Sequence, residues 1–575
     1  MERIWTRHYD EGVPADVALD ERTVLDHLDA AADAWGDRPA LTLKGRTLTY
    51  AALKDQVDRF ATGLAGLGVT PGSRVALWMP NVPQMVIAFF ATLRLGARVV
   101  NTNPLYVERE IEHQFNDAGV TVVVTLDFLW HGRLRGMLDR TGVEHVVVTS
   151  IPDYLPFPLN WLAPLKLRKT GQYVKVPREE RVHFFKELIA QNPPEPTTVP
   201  AAQDDVAVLQ YTGGTTGVSK GAMLTHRNLS ANVEQCRVWF QEARPGEEVF
   251  LGCLPFFHVF GMTVSMLLPV RVGSHLVLAP NPRDIPDLVK SIKKYRVTLF
   301  PAVPALFAAI NNYPDIENVD ISSVRYCISG SAPLPVEVLE RFEALTGSKI
   351  TEGFGLTETS PLTHANPLEG LRKVGSVGVP VPGTDIKVVD VETGETELGF
   401  GEEGELCIRG PQVMAGYWNR PDETAIALRD DWVHTGDLAR VDDDGFTFIV
   451  GRKKDMIVAS GYNIYPDEVD QVLYTHPAVL EAATIGLPDP ARGETVKSFI
   501  VLKPDATVTA EEIRDFCRKE LAPFKVPRQI EFIAELPKSS MMKILRRELR
   551  DRELARSERT ATQSPAPTAD AEAGR

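Results

Sequence analysis

Within the first quarter of the chain, short apolar runs alternate with longer stretches whose apolar positions recur at helical spacing. The runs at 74–79, 97–100 and 120–124 are almost wholly apolar, and the stretches at 82–95 and 107–118 lie between them. Strands that are apolar on both faces are typical of a parallel sheet covered by helices. This part of the chain therefore predicts an α/β unit.

The same pattern returns after residue 200 and predicts a second α/β unit. Apolar runs at 249–254, 297–300 and 326–329 each end in a turn rich in Gly, Pro or small residues. Turns that follow such strands are where α/β folds bind their ligands. The Pro-rich stretch 192–200 predicts a linker between the two sheet units.

The last third of the chain has a different composition. Residues 370–410 consist of short apolar runs separated by Gly and Pro, which predicts a small, β-rich, barrel-like unit. Residues 556–575 lack large apolar side chains and predict a disordered tail. The region between them predicts a smaller α+β domain, with helices at 465–474 and 509–521 and strands at 482–486 and 496–502.

Composition narrows the classes of protein that fit. The chain of 575 residues has a net charge of −15, which argues against nucleic-acid binding because such proteins need an excess of Lys and Arg. Its five cysteines are scattered without Cys-x-x-Cys spacing, and no apolar run is long enough to span a membrane. We therefore expect a cytoplasmic protein. The oligomeric state is left open, with a homodimer as one option.

Residues 151–177 depart from the α/β pattern. Their first half is aromatic and Pro-rich, with Trp161, and their second half is basic, with Lys166, Arg168 and Lys169. We favour a surface loop packed by its own aromatic side chains. The alternative is peripheral contact with lipid headgroups at the inner face of a membrane.

The stretch from Tyr211 to Gly221 combines four glycines, four Ser and Thr hydroxyls and one cation. Glycine lets successive backbone N–H groups converge on an anion, and Lys220 adds a positive charge. The order Ser219-Lys220-Gly221 is not that of a P-loop, in which Lys precedes Ser or Thr. The residues fit either a phosphate cradle or a solvated turn, and this stretch alone leaves both open.

Six motifs in sequence order favour the cradle. They are residues 211–221, Gly330-Ser-Ala332, Glu352-Gly-Phe-Gly-Leu-Thr-Glu358, His434-Thr-Gly-Asp437, Gly451-Arg-Lys-Lys-Asp455 and Lys543. In order and spacing the chain resembles the adenylate-forming acyl-CoA synthetases over residues 4–550. More narrowly, Asn103-Pro-Leu-Tyr106 and Pro255-Phe-Phe-His-Val-Phe-Gly261 resemble the long-chain fatty-acid CoA ligases.

The resemblance implies ATP-dependent ligation of a long-chain fatty acid to coenzyme A, with Mg²⁺ as cofactor. The fatty-acid carboxylate would attack the α-phosphate of ATP, giving acyl-AMP and pyrophosphate, and the thiol of coenzyme A would then displace AMP. Two alternatives stay open: an adenylating enzyme with another acid or acceptor, and a catalytically weak protein that binds acyl-adenylate. Phe354, where the family usually has Tyr, and Met542, where it usually has Gly, motivate the second alternative.

The resemblance also implies roles for particular residues in binding and activating ATP. Lys543 and Glu358 would be catalytic, and Glu358 with Thr212 would hold Mg²⁺. Asp437 and Arg452 would bind the ribose. The other ATP contacts would come from Gly213, Gly214, Thr215, Thr216, Gly217 and Lys220 at the phosphates, and from Gly330, Ser331, Ala332, Gly353, Phe354, Gly355 and Thr357 at the adenine.

For the other two substrates, the resemblance implies an apolar tunnel and a thiol channel. His258 would gate the fatty-acid tunnel, which Phe257 and Val303 would help to line, and Gly461 would lie at the thiol channel.

The implied domain boundaries are an N-terminal domain of residues 1–450, a hinge at 451–456 and a mobile C-terminal domain of residues 457–555. Lys454 would be the hinge residue and so would take part in catalysis. Rotation about it would withdraw Lys543 after the first step.

Overall fold

The computed structural model describes residues 1–19, 22–196, 198–212, 219–241, 243–459, 462–489, 492–539 and 543–563, with the backbone alone for 557–563. Within these ranges the chain forms two large, mostly parallel sheets, a small antiparallel sheet and a C-terminal sheet. The predicted α/β class, with a large N-terminal domain and a smaller C-terminal domain, is confirmed.

The strands follow one another along the chain as β1 (Pro39–Leu43), β2 (Arg46–Thr49), β3 (Arg74–Trp78), β4 (Arg98–Asn101), β5 (Val122–Leu126), β6 (His145–Thr149), β7 (Val182–Phe184), β8 (Val206–Tyr211), β9 (Gly221–Thr225), β10 (Val249–Gly252), β11 (His275–Leu278), β12 (Leu299–Ala302), β13 (Tyr326–Ser329), β14 (Lys349–Gly355), β15 (Leu362–Ala365), β16 (Val379–Pro380), β17 (Asp385–Val389), β18 (Gly404–Arg409), β19 (Leu428–Arg429), β20 (Trp432–Val441), β21 (Thr447–Arg452), β22 (Ile457–Ala459), β23 (Tyr462–Ile464), β24 (Val479–Asp489), β25 (Gly493–Leu502) and β26 (Gln529–Phe532).

The α-helices are α1 (Val24–Trp35), α2 (Tyr50–Gly66), α3 (Pro83–Arg94), α4 (Glu108–Ala118), α5 (Asp127–Leu129), α6 (Leu159–Lys169), α7 (Phe185–Gln191), α8 (His226–Trp239), α9 (Val259–Met262), α10 (Leu268–Arg271), α11 (Ile285–Tyr295), α12 (Pro304–Asn311), α13 (Val336–Thr346), α14 (Pro421–Ala427), α15 (Pro466–Tyr474), α16 (Ala510–Glu520) and α17 (Arg546–Gln563).

The nine-stranded sheet brings together strands from both ends of the N-terminal domain. Its order is β16-β15-β14-β13-β12-β10-β11-β1-β2, and the strands from β14 to β1 run parallel. Because these strands are parallel, their carboxyl ends lie along one edge. The turns that follow β10, β12 and β13 therefore open on the same side of the sheet.

The seven-stranded sheet has the order β7-β6-β5-β3-β4-β8-β9, and only its edge strand β9 is antiparallel. The chain reaches β8 through residues 192–200, and β8 pairs with β4 in the sheet that already contains β7. The prediction that this stretch links two sheet units is therefore wrong, because it links two strands of one sheet. Local composition predicts an irregular segment but carries no information about pairing with a strand a hundred residues away.

Helix α3 lies at the centre of the N-terminal domain. All of its residues are buried, and it packs on β1 of one large sheet and on β3 and β4 of the other. Arg94 at its last turn pairs with Asp29 at 2.6 Å and Asp58 at 3.0 Å, which compensates the burial of its charge. Among the helices of the described ranges, none combines the length and apolarity that crossing a bilayer requires.

The remaining two sheets are small. β17, β18, β20, β19 and β21 form an antiparallel sheet, which confirms a β-rich unit beyond residue 370. The C-terminal sheet, β23-β22-β25-β24 with β26, has one apolar cluster with α15 and α16 and a second cluster that includes Leu549 of α17. Helix α17 continues to Gln563, so its last eight residues, 556–563, fall within the predicted tail.

Helix α6 is the main departure from the predicted local structure. The favoured interpretation of residues 151–177, a loop packed by its own aromatic side chains, is wrong. A helix forms although Pro164 lies inside it, and the side chains of Phe157 and Trp161 are 84% and 72% exposed. The proline penalty argued against a helix, but a proline costs a helix one hydrogen bond and does not forbid it.

Candidate active site

The predicted site residues gather where the carboxyl edges of the two large sheets meet the small sheet and the C-terminal domain. Gly330 follows β13, Val303 follows β12 and begins α12, and Phe257 lies in the turn after β10. Thr212 directly follows β8 of the seven-stranded sheet. This placement agrees with the expectation that ligands bind at the carboxyl ends of parallel strands.

The described ends of the phosphate-cradle stretch lie at the end of β8 and at the start of β9. At its base the Thr212 N–H donates to the carbonyl of Lys220 at 2.9 Å. The hydroxyl of Tyr211 donates to Asp117 at 2.6 Å, and Asp117 also pairs with Arg420 at 2.6 Å, which fixes the loop base to helix α4. Of the cradle residues predicted above, Gly213, Gly214, Thr215, Thr216 and Gly217 lie outside the described residues.

Glu358 and Lys220 approach the same aromatic side chain. The hydroxyl of Tyr417 donates to Glu358 Oε1 at 2.6 Å, and Lys220 Nζ lies 5.2 Å from the centre of the Tyr417 ring. Burial, and then the charge of Glu358, raises the pKa of Tyr417, so its hydroxyl stays a donor. Sequence reasoning missed Tyr417, because a lone aromatic residue in the segment before α14 carries no motif.

Glu358 and Thr212 are the oxygen donors predicted for Mg²⁺. One carboxylate and one hydroxyl are the hard ligands that this ion takes in proteins when phosphate oxygens and water complete its shell. Within the described residues no cluster of three His, Cys, Asp or Glu side chains forms a metal cage. The donor set therefore fits an ion that arrives with a phosphate ligand.

Asp437 and Arg452 face each other on β20 and β21. Arg452 Nε lies 2.8 Å from Asp437 Oδ1, whereas Oδ2 is buried without a hydrogen-bond partner. Burial raises the pKa of Asp437, and Arg452 opposes the rise. A buried carboxylate oxygen without a donor is unfavourable, so Oδ2 has a place for a ligand hydroxyl. The predicted pair is thus brought together in a form that suits a ribose.

Lys543 reaches this cluster from the C-terminal domain. The Ser539 N–H donates to the Lys543 carbonyl at 2.8 Å. Lys543 is exposed to solvent, although many protein atoms surround its ammonium group. Burial, followed by the charge of Arg452, lowers the pKa of Lys543 to about 8, and Asp437 acts in the opposite direction.

His258 lies within electrostatic reach of Lys543. It precedes helix α9, and its Nδ1 accepts a hydrogen bond from the Phe260 N–H at 3.3 Å. Burial, and then the charge of Lys543, lowers the pKa of His258 to about 4, so the ring is neutral at physiological pH. The neighbouring Phe257 carbonyl accepts from Gln210 at 2.8 Å, which joins this turn to β8.

The residues predicted at the adenine form a closely packed strip. A Cβ added at Gly330 would lie 3.1 Å from the Phe260 ring, and one added at Gly355 would lie 2.0 Å from the Pro361 carbonyl oxygen. The ring of Phe354 contacts His364 edge to face, with centres 5.9 Å apart. The other predicted members, Ser331, Ala332, Gly353 and Thr357, are half-buried on the same strand ends and turns.

Glu352 is a second residue to which the sequence assigned no role. Burial raises its pKa to about 8, although a hydrogen bond from the Leu334 backbone opposes the rise. Its carboxyl group is therefore largely protonated at neutral pH and can act as a donor. Its position at the start of the Gly353-Phe-Gly355 strip was visible in the sequence, but its burial was not.

Lys454 follows β21 and has an exposed side chain. Its pKa is lowered by partial burial and by Arg452, while the charges of Asp437 and Glu358 act to raise it. Lys454 thus shares the electrostatic environment of the residues predicted for the ribose and the metal. Gly461, predicted at the thiol channel, lies outside the described residues, as does Met542.

Comparisons with known proteins bear on this geometry. The model of the AMP-binding enzyme family matches residues 28–418, and that of the AMP-binding enzyme C-terminal domain matches residues 468–543. The chain is 44% identical to a long-chain-fatty-acid–CoA ligase of Bacillus subtilis (strain 168), over 96% of this chain and 98% of that protein. It is 42% identical to a long-chain-fatty-acid–CoA ligase of Escherichia coli O157:H7, again over 96% and 98%.

Comparison with solved structures also places the fold among CoA ligases. The crystal structure of the anthranilate CoA ligase AuaEII in complex with anthranoyl-AMP matches with a TM-score of 0.83 at 28% identity, over 94% of this chain and 99% of that chain. The resemblance predicted from the six motifs is confirmed, and the chain belongs to the family of AMP-binding enzymes.

Proposed function

We propose that the protein ligates long-chain fatty acids to coenzyme A through an acyl-AMP intermediate, releasing pyrophosphate and AMP. The observation that carries the proposal is that Lys543 of the C-terminal domain lies within electrostatic reach of the pair Asp437 and Arg452, about 106 and 91 residues before it in sequence. Identities of 42–44% to long-chain-fatty-acid–CoA ligases support the choice of acid.

The first step brings a carboxylate to a triphosphate, so both reactants are anions. Lys543 supplies a mobile positive charge at this point. Its pKa is lowered by burial and then by the charge of Arg452, and bound anionic substrates would favour its charged form. Asp437 Oδ2, which lacks a donor in the protein, accepts a ribose hydroxyl. The nucleotide is thereby held by its sugar while Lys543 approaches the α-phosphate.

Mg²⁺ is part of the proposal. Glu358 and Thr212 would hold it, and the ion would neutralise charge on the phosphates. Tyr417 orients the Glu358 carboxylate through the 2.6 Å hydrogen bond and keeps Lys220 beside the same ring. These three side chains form the phosphate end of the proposed site.

The second step needs the thiol of coenzyme A at the carbonyl that Lys543 faces in the first step. We assign residues 451–456 as the hinge, with Lys454 as the pivot between domains 1–450 and 457–555, and Gly461 as part of the thiol channel. Rotation would remove Lys543 and its charge before the thiol arrives. One cleft then serves both reactions.

The acyl chain would enter near Gly330 and Gly353, where the neighbouring side chains are apolar. The rings and side chains of Phe260, Ile328 and Leu362 lie within contact distance of these glycines. The His258 ring is neutral at physiological pH, because burial and the charge of Lys543 lower its pKa to about 4. The gating role of His258, with Phe257 and Val303 as lining residues, remains part of the proposal.

Two assays on the purified protein test this function. ATP–pyrophosphate exchange with palmitate, without coenzyme A, reports the first step, and formation of palmitoyl-CoA with equimolar AMP reports both. The proposal predicts both activities. If folded protein shows neither activity with fatty acids of several lengths, the proposal is refuted.

The same assays separate the alternatives. Exchange with an aromatic acid but not with palmitate would indicate another acid substrate. Normal ATP binding by calorimetry without turnover would indicate a weak acyl-adenylate-binding protein, and Met542→Gly should then raise the rate.

We further propose a cytoplasmic location, since all five cysteines are free and buried and the proposed substrates ATP and coenzyme A are intracellular. Peripheral contact with the inner face of the membrane belongs to the same proposal.

A further inference from the structure

Helix α6 presents an apolar stripe to solvent. None of its residues is buried. Because successive helical residues are rotated by about 100°, Trp161, Leu165 and Leu162 fall within one sector of about 100°. Their exposed fractions are 72%, 58% and 44%, and Phe157, which precedes the helix, is 84% exposed. Single exposed apolar residues are ordinary, whereas a contiguous group marks an interaction surface.

Cations flank this stripe on both sides. By the same rotation Arg168 lies about 20° to one side of Trp161 and Lys166 about 40° beyond Leu162, while Lys169 ends the stripe at the last turn. Among the described residues, Lys166 and Lys169 have no ion-pair partner, and Arg168 rests on the Tyr173 ring at 5.2 Å. This cluster stands out on a chain whose net charge is −15.

The two ends of the segment are fixed to the N-terminal domain. Before the helix, Tyr154 is buried, and Arg46 Nη1 donates to the Asp153 carbonyl at 2.9 Å. After it, the Val174 N–H donates to Asp127 Oδ2 at 3.0 Å. The helix is thus held at both ends and displays its outer face without any need to unfold.

We propose that α6 docks the protein on a bilayer that contains anionic phospholipids. Trp161, Leu162 and Leu165 enter the boundary between headgroups and acyl chains, and the three flanking cations reach the phosphates with their aliphatic stems alongside the stripe. A protein partner would need acidic groups on both sides of an apolar groove, whereas a bilayer supplies them everywhere around an inserted stripe. A membrane location also suits a long-chain fatty-acid substrate, and that last point rests on the proposed function.

Co-sedimentation with vesicles tests the charge contribution. The double variant Lys166→Glu/Lys169→Glu should lower the partition coefficient onto vesicles of phosphatidylglycerol and phosphatidylcholine by at least ~10-fold. Lys290→Glu/Lys293→Glu is the matched control, since these two lysines are also exposed and three residues apart on a helix, α11. The control variant should bind the anionic vesicles as tightly as the unaltered protein does. Vesicles of pure phosphatidylcholine should bind both proteins weakly.

A second pair of variants tests the apolar stripe. Trp161→Ala/Leu165→Ala should lose most binding to the anionic vesicles, whereas Ile426→Ala/Leu480→Ala, which removes side chains that are 64% and 48% exposed elsewhere, should not. Trp161 is the most exposed of the eight tryptophans. Its fluorescence should therefore shift to shorter wavelength on vesicle addition, and Trp161→Phe should abolish that shift.

Three results would overturn the proposal. One is equal vesicle binding by all variants, and another is absence of binding by the unaltered protein. The third is a dimer in sedimentation velocity that Trp161→Ala/Leu165→Ala converts to a monomer without vesicle binding, which would assign the face to a second copy of the chain. Vesicle binding is measured without substrates, so failure of the ligase assay would leave this test intact.

Discussion

At the scale of single residues, Lys543 should control the first half-reaction and leave the second untouched. Lys543→Ala should lower ATP–pyrophosphate exchange by about 10²–10³-fold, the loss typical of removing one group that stabilises developing charge. Conversion of supplied palmitoyl-AMP to palmitoyl-CoA should stay within a few-fold. Lys519→Ala, at an exposed lysine of the same domain on α16, is the control. Equal loss of both half-reactions would contradict the assigned role.

The pKa of Lys543 predicts a pH limit for the first step. With a pKa of about 8 in the free protein, Lys543 is charged at lower pH and loses its proton as pH rises past this value. The kcat/KM for exchange should therefore fall above pH ~8, since this parameter reports the free enzyme. Lys543→Arg, whose guanidinium stays protonated, should remove the decline at a lower overall rate. If Lys543→Arg leaves the dependence of kcat/KM on pH unchanged, another group causes the decline at high pH.

The pair Glu358 and Tyr417 should control the response to Mg²⁺. Tyr417→Phe removes one hydrogen bond to a carboxylate, so the Mg²⁺ concentration for half-maximal rate should rise by roughly 10-fold. Glu358→Gln removes the charge and should lower the rate at saturating Mg²⁺ as well. Titrations of exchange activity against Mg²⁺ give both quantities. Identical titrations for Tyr417→Phe and the unaltered protein would show that the 2.6 Å hydrogen bond does not position the carboxylate.

Motifs predicted individual residues well where the chemistry depends on residue type. The sequence paired Asp437 with Arg452 before any distance was known, and they lie 2.8 Å apart. It did not predict Tyr417 or the burial of Glu352, because those features arise from packing between segments that are distant in sequence. The sequence shows which residue stands at a position, whereas the fold determines which side chains lie next to it.

At the scale of elements, the end of β14, where it pairs with β15, should tolerate no side chain at Gly355. An added Cβ would lie 2.0 Å from the Pro361 carbonyl oxygen, so Gly355→Ala should push these strands apart. We expect a several-fold higher KM for ATP and a lower melting temperature. Gly66→Ala, at a helical glycine with open space around its Cα, is the control. Unchanged KM and melting temperature in Gly355→Ala would contradict the close packing.

Apolar patterns predicted the strands β3, β4, β5, β10, β12 and β13 and the helices α3, α4, α15 and α16 close to their observed bounds. They failed for the connection through 192–200 and for helix α6. The stretch 192–200 was correctly expected to be irregular, but its connection within one sheet depends on the pairing of β8 with β4. The sequence did not predict helix α6, because it contains Pro164 and has no buried residue. In both cases the missing information is tertiary, since local composition reports neither strand order nor which surface a helix contacts.

At the scale of the whole molecule, the hinge should matter for only one of the two steps. Proline fixes φ, so Lys454→Pro should hinder rotation of the C-terminal domain. Pyrophosphate exchange should stay within a few-fold, whereas palmitoyl-CoA formation should fall by at least ~10²-fold if product formation requires the rotated state. Lys454→Ala controls for loss of the charge. A proline variant that slows both steps equally would indicate a local defect at the site.

The most direct test of the whole account is the rate of acyl-CoA formation, measured by mass spectrometry with AMP and pyrophosphate, for acids from butyrate to stearate and for one aromatic acid. The account predicts that kcat/KM rises with chain length by up to about fourfold per buried CH₂, from ~0.8 kcal/mol each, until the apolar space is filled. Palmitate should greatly exceed butyrate and the aromatic acid, with one AMP per acyl-CoA. A preference for the aromatic acid, or ADP in place of AMP, would contradict it.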